Sequence, residues 1–197
     1  MKAFLGVFLG FIVASCASTS GTKVNVGNTP DADLVTLTSK CDKKCTDFIE
    51  TTFPFKKSGS LFKKDAPTSY AILSEIDGNR GTSTHYDPLG SFNSSWDGGY
   101  NIQTSPGLKM LKIFPTATHM APTEETDLAF NAQSGTTYFV ATLFKRENAG
   151  GVQINYWSPI VLNLQTYEVI LPEGNISWRK YCIAAREFST SLPCPSE

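Results

Sequence analysis

The stretch LAFNAQSGTTYFVATLF, residues 128–144, decides how the rest of the chain is read. TYFVATLF (137–144) is dominated by aromatic and β-branched residues, LAFNA (128–132) precedes it, and Gly135 stands between the two. Such runs pack well on a pleated surface, and neither sustains a 3.6-residue period, so both predict strands. Gly135 is expected to end one strand of a hairpin and start the next. The letters SGTT resemble a nucleophile loop only as letters.

The same pattern extends outward in both directions. SYAILSEI (69–76) runs into Asp77-Gly78, and YNIQT (100–104) runs into Pro106-Gly107. Leu111 and Ile113 alternate after that turn, with Lys109 and Lys112 assigned to the solvent side. VQINYW (152–157), IVLNL (160–164) and YEVIL (167–171) follow Ala149-Gly150-Gly151. Tyr156 and Trp157 are neighbours on a strand, so one faces the core and the other the surface. Short strands between Gly, Pro and Asn turns predict an all-β chain, an antiparallel β-sandwich of immunoglobulin or transthyretin type. No repeat of 20–50 residues is present, which argues against a propeller or solenoid.

One short helix is expected near the N-terminus. After a strand at LVTLT (34–38), Cys41, Cys45, Phe48 and Ile49 fall at i, i+4, i+7 and i+8, with Ser39 as the cap and Lys43, Lys44 and Asp47 toward water. Residues 17–33 are rich in Ser, Thr, Gly, Asn and Asp and read as a flexible tether.

The N-terminus has another composition. Lys2 precedes the apolar run AFLGVFLGFIVA (3–14), the layout of an export signal and too short for the roughly 20 residues that span a bilayer. Val13-Ala14-Ser15-Cys16 resembles the lipobox of bacterial lipoproteins. That resemblance implies cleavage after residue 15, diacylglycerol on the Cys16 thiol, acylation of the new amine, and the membrane as a partner through Cys16. It divides the chain into a signal peptide (1–15), a tether (16–33) and one domain (34–197). Ala17, where an Asp would favour inner-membrane retention in such proteins, implies the outer membrane of a bacterial envelope. The alternative is an ordinary signal cut near Ala17 and a secreted or periplasmic product.

Without residues 1–15 the chain keeps 182 residues, with 16 basic and 18 acidic side chains. This near neutrality sets nucleic acid aside as a partner, since phosphate binding needs clustered Lys and Arg. Four cysteines remain, Cys41, Cys45, Cys182 and Cys194, an even number as expected for disulfides in an exported chain. Their spacing fits no common zinc site, and no metal or cofactor is expected. Helical Cβ atoms four residues apart are separated by about 5–6 Å, more than a disulfide prefers. Two long-range bridges from the helix to the tail are therefore expected, ahead of the alternative of local pairs, Cys41 with Cys45 and Cys182 with Cys194.

A second resemblance rests on AILSEIDG, SPGLKMLKI, LAFNAQSGTTYFVATLF and NYWSPIVLN, in that order. It is to a module of small bacterial envelope lipoproteins, covers residues 70–164, and implies a fold without an activity.

Three functional readings follow. The first is a lipid-anchored lipoprotein with a non-catalytic structural or interaction role. The second is a module binding a glycan or an envelope protein through the loop carrying Phe92, Trp96 and Tyr100, whose Ser, Asn and Gly neighbours make burial of all three rings difficult. The third is an envelope hydrolase using His85 and Asp87, which requires the two to converge with a nucleophile, whereas neighbouring residues usually point apart and Asp87-Pro88 is a good turn starter. His119, in a proline-bearing loop, reads as solvated.

Overall fold

The computed structural model describes residues 21–53, 68–81, 92, 99–115, 125–149, 152–176 and 179–184. The described strands are β1 (Thr22–Lys23), β2 (Val35–Thr38), β3 (Thr68–Ile76), β4 (Asn79–Arg80), β5 (Asn101–Thr104), β6 (Gly107–Pro115), β7 (Thr126–Ala132), β8 (Thr137–Ala149), β9 (Val152–Asn163), β10 (Val169–Ile170) and β11 (Arg179–Ala184). One α-helix, α1 (Lys43–Thr52), lies between β2 and β3. The described residues therefore form an all-β fold of two sheets with one helix.

The larger sheet runs β1-β5-β2-β8-β9, with β10 and β11 on the far side of β9. The smaller runs β4-β3-β6-β7. β3 belongs to both: residues 68–70 pair with β8 and residues 71–76 with β4 and β6. A register shift at Ser74, between Leu73 and Glu75, marks a bulge in the second half.

Among the described strands, pairing is mostly antiparallel, as the pattern predicts; β1–β5 and β2–β8 are parallel. These two pairings join segments about eighty and one hundred residues apart in sequence, and no local turn signal specifies such a partner.

The stretch 128–144 makes two strands but no hairpin. β7 pairs with β6, whereas β8 pairs with β2, β3 and β9, so the turn at Gly135 carries the chain from one sheet to the other. The reason lies in the side chains. Leu128, Phe130 and Ala132 of β7 and Tyr138 and Val140 of β8 enter one core from opposite sheets. The Phe130 and Tyr138 rings meet edge-on at 4.9 Å, and the Tyr138 hydroxyl accepts from Gln133 N at 3.0 Å. Gly135 has φ +67°, and an added Cβ would stand 3.1 Å from the Ala32 carbonyl oxygen. Asp77 and Gly78, with φ +50° and +79°, form the two-residue turn between β3 and β4, as a type I′ turn requires.

A second core lies on the other face of β8 and β9. Phe139, Ala141, Leu143, Ile160 and Leu162 pack there against Cys45 and Ile49 of α1. The helix starts later than its apolar period suggests, because Asp42, in place of Ser39, is the cap: its carboxylate accepts from Cys45 N at 2.8 Å. Ser39 is buried and accepts from Tyr100 N at 2.9 Å.

The late start also changes the cysteine chemistry. Cys41 lies outside the helix, so the helical Cβ separation does not apply, and Cys41 is disulfide-bonded to Cys45 with Cα atoms 5.4 Å apart. The expected bridges from both helix cysteines to the tail are thus replaced by a local one. Cys182 stands on β11 opposite Ile154, and Cys194 lies outside the described residues.

Three further expectations change. Residues 152–163 form one strand through Pro159, not two. Asn163 N bonds to Glu168 O on the β10 side, and by the two-residue alternation the proline nitrogen points to that side too. There, between the stretches paired with β11 and β10, residues 158–160 have no described partner, and the missing N–H costs no ladder bond. The tail beyond residue 171, where the residue pattern marks no strand, supplies β11. Residues 21–33, expected as tether, are docked: β1 pairs with β5, Val24 N bonds to Gln103 O at 2.8 Å, and Lys23 reaches Asp31 at 2.7 Å.

Candidate functional site

The outer face of the larger sheet changes character along its width. On β8 and β9 it is apolar and covered by α1. On β5 and β2 it carries Asn101, Gln103, Thr36 and Thr38, because VTLT and NIQT alternate and send Val35, Leu37 and Ile102 to the inner core. Register aligns Gln103, Thr36 and Thr137 in one row across three strands, and Asn101 beside Thr38 in the next. With Lys40 these six side chains line an open groove of about 320 Å³.

One of the six side chains is tied to the backbone. Thr38 is buried, and its hydroxyl donates to Tyr100 O at 3.4 Å and accepts from Lys40 N at 3.1 Å. The side chains of Thr36, Asn101, Gln103 and Thr137 are half-buried and, among the described residues, make no hydrogen bond to protein. Their amides and hydroxyls both donate and accept. Lys40 is exposed and brings a positive charge to the end of the groove nearest Tyr100.

The charged groups cluster elsewhere, on the smaller sheet. Arg80 bonds to Glu125 at 2.8 Å and lies 3.7 Å from Glu75, which also meets Lys112 at 3.2 Å. The Arg80 hydrogen bond, with smaller help from Ser74 and Lys112, holds the Glu125 carboxyl below its ordinary pKa against the effect of burial. Lys109, assigned from sequence to the solvent side, is 3% exposed and pairs with Asp77 at 2.6 Å. Parity explains the correction: residues 109, 111 and 113 share one face of β6, and Leu111 and Ile113 are in the core. Leu108 and Met110, on the other face, are exposed.

Tyr100 is not available at a binding loop. It is 3% exposed, its hydroxyl donates to Val140 O at 3.1 Å, and burial raises its pKa far above that of a free tyrosine. Phe92 packs half-buried against the same core. Of the neighbours Tyr156 and Trp157, Trp157 is the buried one. Trp96, His85, Asp87, His119 and Cys16 lie outside the described residues. The groove is not among the sites expected from sequence, although the alternating Thr, Asn and Gln of VTLT and NIQT mark its polar face.

Among the described residues, no helix is long and apolar enough to cross a membrane. No family model matches the chain, and no curated protein or solved structure matches it either.

Proposed function

We propose that the chain is a lipid-anchored lipoprotein of the bacterial envelope, tethered by acyl chains at Cys16, with a non-catalytic interaction role for its β domain. The observation that carries this is the Val13 to Cys16 pattern behind the apolar run 3–14. Two acyl chains or more hold a protein on a bilayer far better than one, at about 0.8 kcal/mol per buried CH₂. The Cys41–Cys45 disulfide supports an oxidising compartment. Residues 16–21 span at most about 18 Å fully extended, so β1 and its neighbours are held close to the headgroups.

The domain is an immunoglobulin- or transthyretin-like sandwich on this reading, supported by a core cluster that draws from both sheets. Among the described residues, the non-catalytic role is supported by where the titratable groups fall. Tyr100 is sealed in the core, Glu125 is held in an ion-pair network, and Lys40 brings the charge of the groove. The Ala17 residue favours the outer membrane.

Mass spectrometry of the protein from membranes tests the anchor. A mature N-terminus at Cys16 carrying acyl mass is expected, and Cys16→Ala is expected to leave the chain unprocessed or soluble. Unchanged processing and membrane fractionation of Cys16→Ala overturn the proposal.

A further inference from the structure

We infer that the groove across β5, β2 and β8 binds an acidic oligosaccharide, hydroxyl-rich along its length and bearing a carboxylate at the Lys40 end. The inference deepens the non-catalytic interaction role proposed above and rests on it. A groove lined by Asn101, Gln103, Thr36 and Thr137 offers groups that donate and accept at once, which is also the character of sugar hydroxyls. Neighbouring strands lie about 4.8 Å apart, so the row Gln103-Thr36-Thr137 presents polar groups at regular steps to an extended ligand.

The strand placement makes these groups ready for binding. Their backbones are fixed in ladders on both sides of β2, so little freedom is lost when a ligand arrives. Lack of protein partners for the four side chains, among the described residues, leaves their hydrogen-bonding capacity to whatever enters.

The lining also selects against other partners. A protein interface concentrates aromatic residues, Met and Arg at its centre, and the groove lining has none of them. A polyphosphate needs several cations, and the lining supplies one, Lys40. A single ammonium beside neutral polar groups matches an acidic oligosaccharide whose carboxylates lie a disaccharide apart, one of them meeting Lys40 and the others lying beyond the groove.

The test titrates the acylated mature protein, held in detergent micelles, with hyaluronan hexasaccharide, neutral chitohexaose and inorganic phosphate while its amide resonances are followed. Hyaluronan is expected to shift the side-chain amides of Asn101 and Gln103. The double variant Asn101→Ala, Gln103→Ala is expected to weaken that binding at least tenfold with an unchanged melting midpoint, and Lys40→Met to abolish the preference over chitohexaose. Absence of saccharide-induced shifts, full binding by the double variant, or a response to phosphate alone overturns the inference. The mass of Cys16 in the same preparation reports the anchor separately, so a failed anchor and an empty groove are distinguishable.

Discussion

The two halves of the larger sheet's outer face share strand β8 and differ in everything that follows from sequence. On β8, consecutive residues Tyr138 to Leu143 are almost all apolar or aromatic, so Phe139, Ala141 and Leu143 emerge on the face away from the inner core. That apolar surface needs a cover, and α1 supplies it with Cys45 and Ile49. On β2 and β5, strict alternation leaves Thr36, Asn101 and Gln103 outside, where water satisfies them and no cover is required. A continuous apolar run thus calls for a second layer, and an alternating one leaves a surface free for ligands.

The strongest way to break this contrast is at the centre of the covered half. Ile49 is 1% exposed beneath the helix. Ile49→Ala is expected to destabilise the fold by about 2–5 kcal/mol, the range for truncating a well-packed aliphatic side chain. Urea unfolding measures it. A loss below about 1 kcal/mol says that α1 is loosely seated and that the apolar face of β8 does not depend on it.

Much of this contrast is legible in the order of the residues alone. The strands at 69–76, 100–104, 128–132 and 137–144, the Asp77-Gly78 turn and a helix carrying Cys45 and Ile49 all follow from local pattern. Non-local choices are not legible. Nothing in VTLT says that β2 joins β8 in parallel, and nothing near Gly135 says that β7 and β8 belong to different sheets. Those outcomes depend on which faces meet in the core. The disulfide pairing turns on where the helix begins: the Asp42 cap, strong in the structure, competes in sequence with Ser39. Tyr100 resembles a loop aromatic because its Ser, Asn and Gly neighbours conceal that it begins a strand's inward-facing series with Ile102 and Thr104. The groove is built by register across three strands, and register is not visible in one segment.

The disulfide is the next test of the covered half. Its loop is short, and the chain-entropy account gives about 2 kcal/mol for a ring of that size. The double variant Cys41→Ala, Cys45→Ala is expected to lose about that much, with α1 fraying at its first turn in hydrogen exchange. Non-reducing peptide mapping checks the pairing directly: a peptide joining Cys41 or Cys45 to Cys182 contradicts the local bridge.

The charged smaller sheet sharpens the comparison through pH. Glu125 has its folded-state pKa lowered, chiefly by Arg80, so its contribution is present above the unfolded carboxylate value of 4.5 and is lost as pH falls through the lower folded value. Stability is therefore expected to decline on acidification below about 4.5, and Glu125→Gln is expected to remove part of that decline. Both groups are partly exposed, and their pair belongs with surface ion pairs, worth up to about 1 kcal/mol. Unfolding midpoints from pH 3 to pH 6 decide it. An acid decline identical in the variant shows that another carboxylate is responsible.

The smallest expected effect lies in the open half, and its smallness is informative. Thr36 and Thr38 are two residues apart on the same face of β2, yet the Thr38 hydroxyl is bonded to Tyr100 O and to Lys40 N, whereas that of Thr36 has no protein partner among the described residues. Valine matches threonine in shape and in strand preference, so Thr36→Val changes only the hydroxyl. At Thr38 the same exchange removes a buried hydroxyl's bonds and is expected to cost about 1 kcal/mol. At Thr36, where water already serves the group, the change is expected to stay within about 0.5 kcal/mol of zero. Parallel urea curves for the two variants compare them on one strand. Equal losses show that Thr36 is a structural member of the sheet, and its hydroxyl is then not available to a ligand. A near-zero value at Thr36 beside a clear loss at Thr38 separates the side chains that hold the sheet from those it leaves exposed for binding.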